Sequence, residues 1–515
     1  MGLRPSLLFP APCANRSGIL IDMGFPGWAA ALVFGTIPAF AFPAPSCWWL
    51  AWIGLVPLLL VVRAAPSPWA GAVRAWLGMS AFVLTTQYWL ASSIGPALGP
   101  LAFGLGALWL PWGWIARRLL SPLVIGRTVA ALVVMPSAWV AAEAVRSFPW
   151  IGGPWAPLGA SQWNQPVTLA SASVGGVWLT SFLLVAANTA IVGVILHRQL
   201  AARLVMLACA AACTALGPAW YLLGPVPSGA ATVRVALVQT GDIADAVARE
   251  AASEALTATL AGQRPDLVVW GESSVGQDLT SHPEVLDRLT ELSRRVGAEL
   301  LVNVDAPAPS GGIYKSAVLI GEHGLLGSYR KTRLVPFGEY VPLRTLFGWI
   351  TRHTKAAAAD RQRGSGPVVL DAGRLAIGPL ISYEMTFPDL SRREAQLGAG
   401  LLVYQSSTSS FQGSWAQPQL AGQPAVRAVE VGRPAVHVGL SGDSSVFDTR
   451  GRRLAWCPSD FRGVTVVNVP LGSNATLYQR LDDWVLVTAF VVLGATVCFA
   501  VLSRRRRLVR DTLPG

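Results

Sequence analysis

At 515 residues the chain exceeds one ordinary domain, and with 52% hydrophobic residues, only 13% charged and a mean hydropathy of +0.47 it is too apolar for a soluble globule. A net charge of +12 could signal nucleic acid, but the arginines fall in alternate loops between apolar stretches, the pattern of a multispanning membrane protein with no nucleic-acid partner. The six cysteines form neither a disulfide framework nor a zinc spacing, and the five scattered histidines make no metal box.

Hydropathy places seven spans ahead of a long polar insert: Trp28 to Phe42, which is short, Trp48 to Val62, Ala75 to Ser93, Leu98 to Ile115, Val129 to Val145, Leu169 to Leu196 and Val205 to Leu223. An eighth follows at Trp484 to Leu502. A bilayer crossing takes about 17 to 25 residues. Arg4 and Arg16, Arg63 and Arg74, Arg117, Arg118 and Arg127, and Arg198 and Arg203 occupy every second boundary, while the intervening loops are almost free of positive charge. The cluster Arg504 to Arg507, with Arg510, lies beyond the last span. Both termini are therefore expected in the cytoplasm and the insert outside it. Glu143 lies within the fifth span, where a carboxylate is costly, and Arg146 at i+3 is its expected ion-pair partner.

The expected organisation is a membrane domain at 1–224, an α/β domain at 232–473, a last helix at 484–502 and a basic tail at 503–515. The Pro, Gly and Ser stretch Gly224 to Ala231 ends the spans, and Val233 to Gln239 opens the polar domain as a strand. Further strands are expected at Leu267 to Trp270, Leu300 to Val304, Ser316 to Ile320, Ile377 to Ser382, Leu401 to Gln405, Val436 to Leu440 and Val464 to Val469, and helices at Ala251 to Leu260 and Pro283 to Val296. No internal repeat is visible.

Chemistry concentrates in three places. Asp266-Leu-Val-Val-Trp-Gly-Glu272 is a buried strand ending in a carboxylate, Lys331 opens a stretch running through Glu339 to Pro342, and Ile381-Ser382-Tyr383-Glu384 ends another strand. Strand ends are where α/β sites gather. Glu272, Lys331 and Ser382 stand where a nitrilase-type enzyme carries glutamate, lysine and cysteine. With the span layout, the Phe148-Pro149-Trp150 loop and Arg427-Ala-Val-Glu-Val-Gly-Arg-Pro434, the chain resembles the apolipoprotein N-acyltransferase family of the nitrilase superfamily over nearly its whole length.

That resemblance implies about eight spans carrying an extracytoplasmic αββα sandwich in a bacterial cytoplasmic membrane. It implies a ping-pong acyl transfer, with a phospholipid as donor, the amino group of a diacylglyceryl-cysteine lipoprotein as acceptor, no cofactor or metal, and a monomeric enzyme. Glu272 would be the general base, Lys331 the oxyanion cation and Ser382 the acyl carrier, with Glu339, Tyr383 and Glu384 in support. An apolar site would raise the pKa of Glu272 and let it shuttle a proton, and a fixed ammonium is worth most where water is excluded. The plainer reading makes Glu272 a strand-end cap, Lys331 a solvated loop charge, and Glu339 and Glu384 salt-bridge partners. The apolar arm Val341 to Ile350, containing Phe347 and Trp349 and followed by Arg352, Lys355, Arg361 and Arg363, fits a folded core helix or, the favoured reading, a lid over an acyl chain.

Ser382 departs from the family pattern, in which the residue is cysteine. A hydroxyl needs stronger base assistance than a thiol. Lys331, if neutral, could give that assistance, although two nearby glutamates would keep it charged. Gly271, Ser406 to Phe411 and Leu440-Ser-Gly-Asp443 depart as well. These departures leave two alternatives to acyl transfer: a lipid- or lipoprotein-binding paralogue with impaired turnover, and a membrane-tethered amidase or hydrolase.

Overall fold

A computed structural model describes residues 26–225, 231–307, 311–348, 360–472 and 474–512. Among the described residues, eight apolar helical segments flank the polar domain in sequence: Gly27–Ala41, Leu50–Arg63, Pro68–Thr86, Tyr88–Leu119, Ile125–Arg146, Ala172–Leu196, Leu200–Leu223 and Trp484–Thr512. Five of them, Tyr88–Leu119, Ile125–Arg146, Ala172–Leu196, Leu200–Leu223 and the Trp484–Arg505 part of the last, are long and apolar enough to cross a membrane. The third helix begins at Pro68, ahead of the expected Ala75, because Ser67 caps it by accepting from the Ala70 amide at 3.1 Å and Pro68 suits the first turn. It ends at Thr86, and the fourth segment already starts at Tyr88.

Glu143 and Arg146 do not form the expected ion pair. Glu143 accepts from Trp139 Nε1 at 2.8 Å and from the Leu158 amide at 2.7 Å, while Arg146 donates to the Trp155 carbonyl. Both side chains tie down the loop that follows their helix, so neighbouring backbone groups take the place of the i+3 partner.

The polar domain is two six-stranded sheets. The first has the order β12-β1-β2-β3-β4-β5, built from β1 (Thr232–Gln239), β2 (Leu267–Trp270), β3 (Glu299–Pro307), β4 (Ile313–Gly321), β5 (Gly324–Arg330) and β12 (Gly463–Pro470). The second has the order β11-β10-β9-β8-β7-β6, from β6 (Leu370–Ala372), β7 (Leu375–Ile381), β8 (Leu401–Ser406), β9 (Ala435–Gly439), β10 (Ser444–Phe447) and β11 (Arg453–Cys457). In each sheet three parallel strands are adjacent, β1, β2 and β3 or β7, β8 and β9, with antiparallel strands on either side. The halves thus share one topology, a repeat carried by strand order and not by residue identity. β2, β8 and β9 are buried along their whole length, as parallel strands covered on both faces must be.

Helices cover the outer faces and complete an αββα sandwich. Pro283–Val296 seats Val285, Leu289, Leu292 and Val296 on the first sheet; each fully buried aliphatic side chain contributes about 1.5–3 kcal/mol. Ala416–Val431 lies between the second sheet and the membrane helices and is buried at every position but Pro418. One apolar core therefore runs from the second sheet into the helical bundle. Polar ties cross the same junction. Glu430 accepts from the Val177 amide at 2.7 Å, just after the break in Ala172–Leu196 at Gly175 and Gly176, and pairs with Arg427 at 3.2 Å. Arg392 grips Asp483 at 2.8 Å, beside the start of the last helix.

Candidate active site

β7 ends at Ile381, and the chain swings at Ser382 into the 3-10 turn Ser382–Thr386. Ser382 has a φ of 55°, a left-handed conformation that a non-glycine residue adopts only when its surroundings hold it there. The turn leaves Ser382 partly exposed between buried Ile381 and Tyr383. Glu384 holds it in place. One carboxylate oxygen accepts from the Ile381 amide at 2.9 Å, and the other accepts from Tyr329 Oη at 2.7 Å, the Thr332 and Arg333 amides at 2.8 Å and Thr332 Oγ1 at 2.9 Å. A single carboxyl thus joins the serine turn to the segment leaving Lys331. Its complete burial pushes its pKa above the ordinary value, against the field of Lys331 and the donated hydrogen bonds.

Lys331 follows β5 and is almost wholly buried. Its Nζ donates to Glu339 Oε1 at 2.8 Å and lies 3.6 Å from Glu272 Oε1. Burial favours the neutral amine, but Glu339 and Glu272 outweigh it and hold the pKa above the usual lysine value. Lys331 is therefore held as an ammonium and does not serve Ser382 as a neutral base. Glu339 also accepts from the Val335 amide at 2.9 Å, which fixes the carboxylate against the lysine.

Glu272, one residue beyond the Gly271 that follows β2, accepts from the Ser407 amide at 3.1 Å. It also faces Lys315 Nζ at 3.2 Å. Lys315 lies outside the three sequence motifs. It sits in β4, is 5% exposed, lies 3.1 Å from Asp305 Oδ1 and donates to Ser273 Oγ. A lysine embedded in the apolar run Ile313-Tyr-Lys-Ser-Ala-Val-Leu-Ile320 was its only signal. Burial would raise the Glu272 pKa, as expected from sequence, but Lys315, Lys331 and Arg361 reverse that and hold it at about 2. Three cations, Lys315, Lys331 and Arg361, are ion-paired here with three carboxylates, Glu272, Glu339 and Asp305, and Glu384 lies in the field of Lys331.

The departures other than Ser382 form one contact cluster around Glu272. A Cβ at Gly271 would meet Leu440 Cα at 2.5 Å, so no side chain fits there without displacing that backbone. Ser407, whose amide serves Glu272, receives a hydrogen bond from Ser441 Oγ at its carbonyl, and Thr408 Oγ1 donates to the Gly442 carbonyl at 2.5 Å. Tyr383 packs edge-on against Phe387 with ring centroids 4.9 Å apart, and the Phe148-Pro149-Trp150 loop brings Gly153 directly over its hydroxyl. Of the lid residues, Phe347 closes the short helix Arg344–Phe347, whereas Trp349 and Arg352 lie outside the described residues. Asp360 ties the base of the arm, accepting from the Val341 amide at 3.0 Å and from Arg344 Nε at 3.1 Å.

Residues 34–190 match the apolipoprotein N-acyltransferase N-terminal domain and residues 234–479 match the carbon-nitrogen hydrolase domain. An apolipoprotein N-acyltransferase of Azotobacter vinelandii is 31% identical over 94% of this chain and 96% of its own length. The chain belongs to the apolipoprotein N-acyltransferase family. Relatives of the same name from Geobacter metallireducens and Pseudomonas aeruginosa are each 29% identical, covering 93% and 94% of this chain and 95% and 97% of their own lengths. Membership makes the chain a membrane protein of an acyltransferase family with a nitrilase-like domain, and the family's chemistry meets a hydroxyl at residue 382.

Proposed function

We propose that the protein transfers an acyl chain from a phospholipid, through an oxygen ester on Ser382, to the free amino group of a diacylglyceryl-cysteine lipoprotein. The observation that carries this reading is the buried ammonium of Lys331, clamped by Glu339 and Glu272 and linked through Glu384 to the strained turn of Ser382. In the first half-reaction Ser382 Oγ attacks the ester carbonyl of the donor, and its proton passes to the Glu272 carboxylate. Lys331 neutralises the oxyanion, the bond between the acyl carbon and the glycerol oxygen breaks, and the departing glycerol alkoxide recovers the proton from Glu272. In the second, the amine attacks the Ser382 ester, loses a proton to Glu272, and leaves as an amide while Ser382 Oγ is reprotonated. Charge stabilisation bears most of this chemistry, because a carboxyl held at about 2 is a weak base.

The same weakness favours a second reading, lipid or lipoprotein binding without turnover. Intact-mass measurement after incubating the detergent-solubilised protein with phospholipid separates the two. Acyl transfer predicts an acyl-sized adduct in the parent, none in Ser382→Ala and a faster-forming one in Ser382→Cys. An adduct seen only in Ser382→Cys would replace acyl transfer with binding.

The topology we propose for this reading has eight crossings, with both termini in the cytoplasm and the α/β domain outside it. The division at 1–224, 232–473, 484–502 and 503–515 and action as a monomer belong to the same proposal. Support comes from the alternation of arginine-bearing loops and from the eight apolar segments flanking one polar domain.

A further inference from the structure

A cavity of about 160 Å³ lies where the Leu200–Leu223 helix runs into the α/β domain, bounded by Trp220 and Tyr221 of that helix, Gly432, and the arginines Arg450 and Arg480. It is remote from the Glu272 end of the site. Gly432 follows the C-terminal end of Ala416–Val431, whereas the Ser407–Ser441 contact beside Glu272 lies at the N-terminal end, where Gln417 donates to the Ser441 carbonyl at 3.2 Å. That helix has 16 residues, which puts the two places roughly 24 Å apart along it.

The cavity's charge is one-sided. Arg450 lies over the Tyr221 ring at 3.7 Å and donates to the Tyr221 carbonyl. Asp448, its near neighbour, is occupied by Arg452 at 2.6 Å and by the Arg450 and Arg452 amides at 2.9 Å. Among the described residues neither Arg450 nor Arg480 has a carboxylate partner, and no Asp or Glu lines the cavity. Indole and phenol rings at the end of an apolar helix are the side chains of a membrane–water boundary. Beside them Leu222 and Leu223 are 78% and 86% exposed and offer acyl chains an apolar surface.

We propose that this cavity binds the phosphodiester headgroup of an anionic membrane lipid as a bound, non-reacting ligand, separate from the acyl donor. Two guanidinium groups without counter-charge suit a phosphate, and the lack of a carboxylate to receive a headgroup ammonium selects against zwitterionic lipids.

The test is photocrosslinking of the full-length protein in detergent with phosphatidylglycerol carrying a diazirine on its headgroup, followed by peptide mapping. Adducts are expected on peptides containing Trp220 and Tyr221 or Asn474 to Arg480, falling about tenfold in the Arg450→Gln, Arg480→Gln double variant, while its melting temperature and any adducts near Ser382 stay unchanged. Should the double variant lose its fold, Arg480→Gln alone, at an exposed position, must still weaken the labelling. Labelling that survives these substitutions, or is equally strong with a phosphatidylcholine probe, would overturn the proposal. Complete displacement by inorganic phosphate alone would overturn the lipid assignment in favour of free phosphate.

Discussion

Two buried ionic clusters divide the labour of this molecule. At the junction with the membrane helices, each carboxylate is spent on geometry: Glu430 caps the backbone at Val177 and pairs with Arg427, and Asp483 receives Arg392, Tyr478 and Trp178. Around Lys331 the carboxylates are shared among several cations, with Glu272 facing both lysines and Glu339 facing Lys331 and Arg361. The first arrangement fixes where elements sit. The second fixes which groups are charged, and substitutions in the two clusters should fail in different ways.

The largest effect is expected at the junction. Glu430→Ala leaves the fully buried Arg427 without its partner, a loss of about 3–5 kcal/mol that would show as a lower melting temperature in detergent. Glu430→Gln keeps an acceptor for the Val177 amide and should lose less. In the folded fraction of either variant, the pH dependence of adduct formation should match the parent. A shifted profile would mean that the junction also governs charge at the site.

Next in size is Lys331→Met. Removing one stabiliser of a developing oxyanion costs about 10²–10³-fold in rate, so acyl adduct formation in a single turnover should slow by that order while phospholipid binding persists. Equal loss of binding and rate would place Lys331 in ground-state recognition.

How much of this was legible depended on whether a residue's partners were local. β2 was bounded correctly because Leu267-Val-Val-Trp270 is an unbroken apolar run closed by Gly271, and Pro283–Val296 because Pro283 and Gly297 punctuate it. β10 was missed because two of its four residues are serines. Their hydroxyls are satisfied far away in sequence, Ser444 by Gln239 at 2.6 Å and Ser445 by the Ala421 carbonyl at 2.8 Å. The start of the third membrane helix carried a local signal, Ser67-Pro68, but Arg74 weakened the hydropathy of that turn. Glu272, Lys331 and Glu339 meet in one ionic cluster, and Glu384 ties the segment leaving Lys331 to the turn that starts at Ser382, from motifs that could be read singly. The charge of Glu272 could not be read, since it depends on Lys315 reaching it from another strand.

That dependence gives the subtlest prediction. In Lys315→Met the first of the cations that hold Glu272 down is gone, burial regains weight, and the carboxyl's pKa should rise from about 2 toward or beyond its ordinary 4.5. A depressed carboxyl stabilises the folded state at pH above its unfolded value. In the parent, the Glu272 contribution is therefore complete above about 4.5 and is lost as pH falls toward about 2. The variant should lose that contribution at higher pH, and the acid limb of its adduct-formation profile should move up by about one unit or more. Near neutral pH its Glu272 would be the stronger base, so a serine nucleophile starved of base assistance should tolerate the loss of Lys315 far better than the loss of Lys331. An acid limb that stays in place while the rate collapses would instead make Lys315 a support for the fold around Asp305 and Ser273.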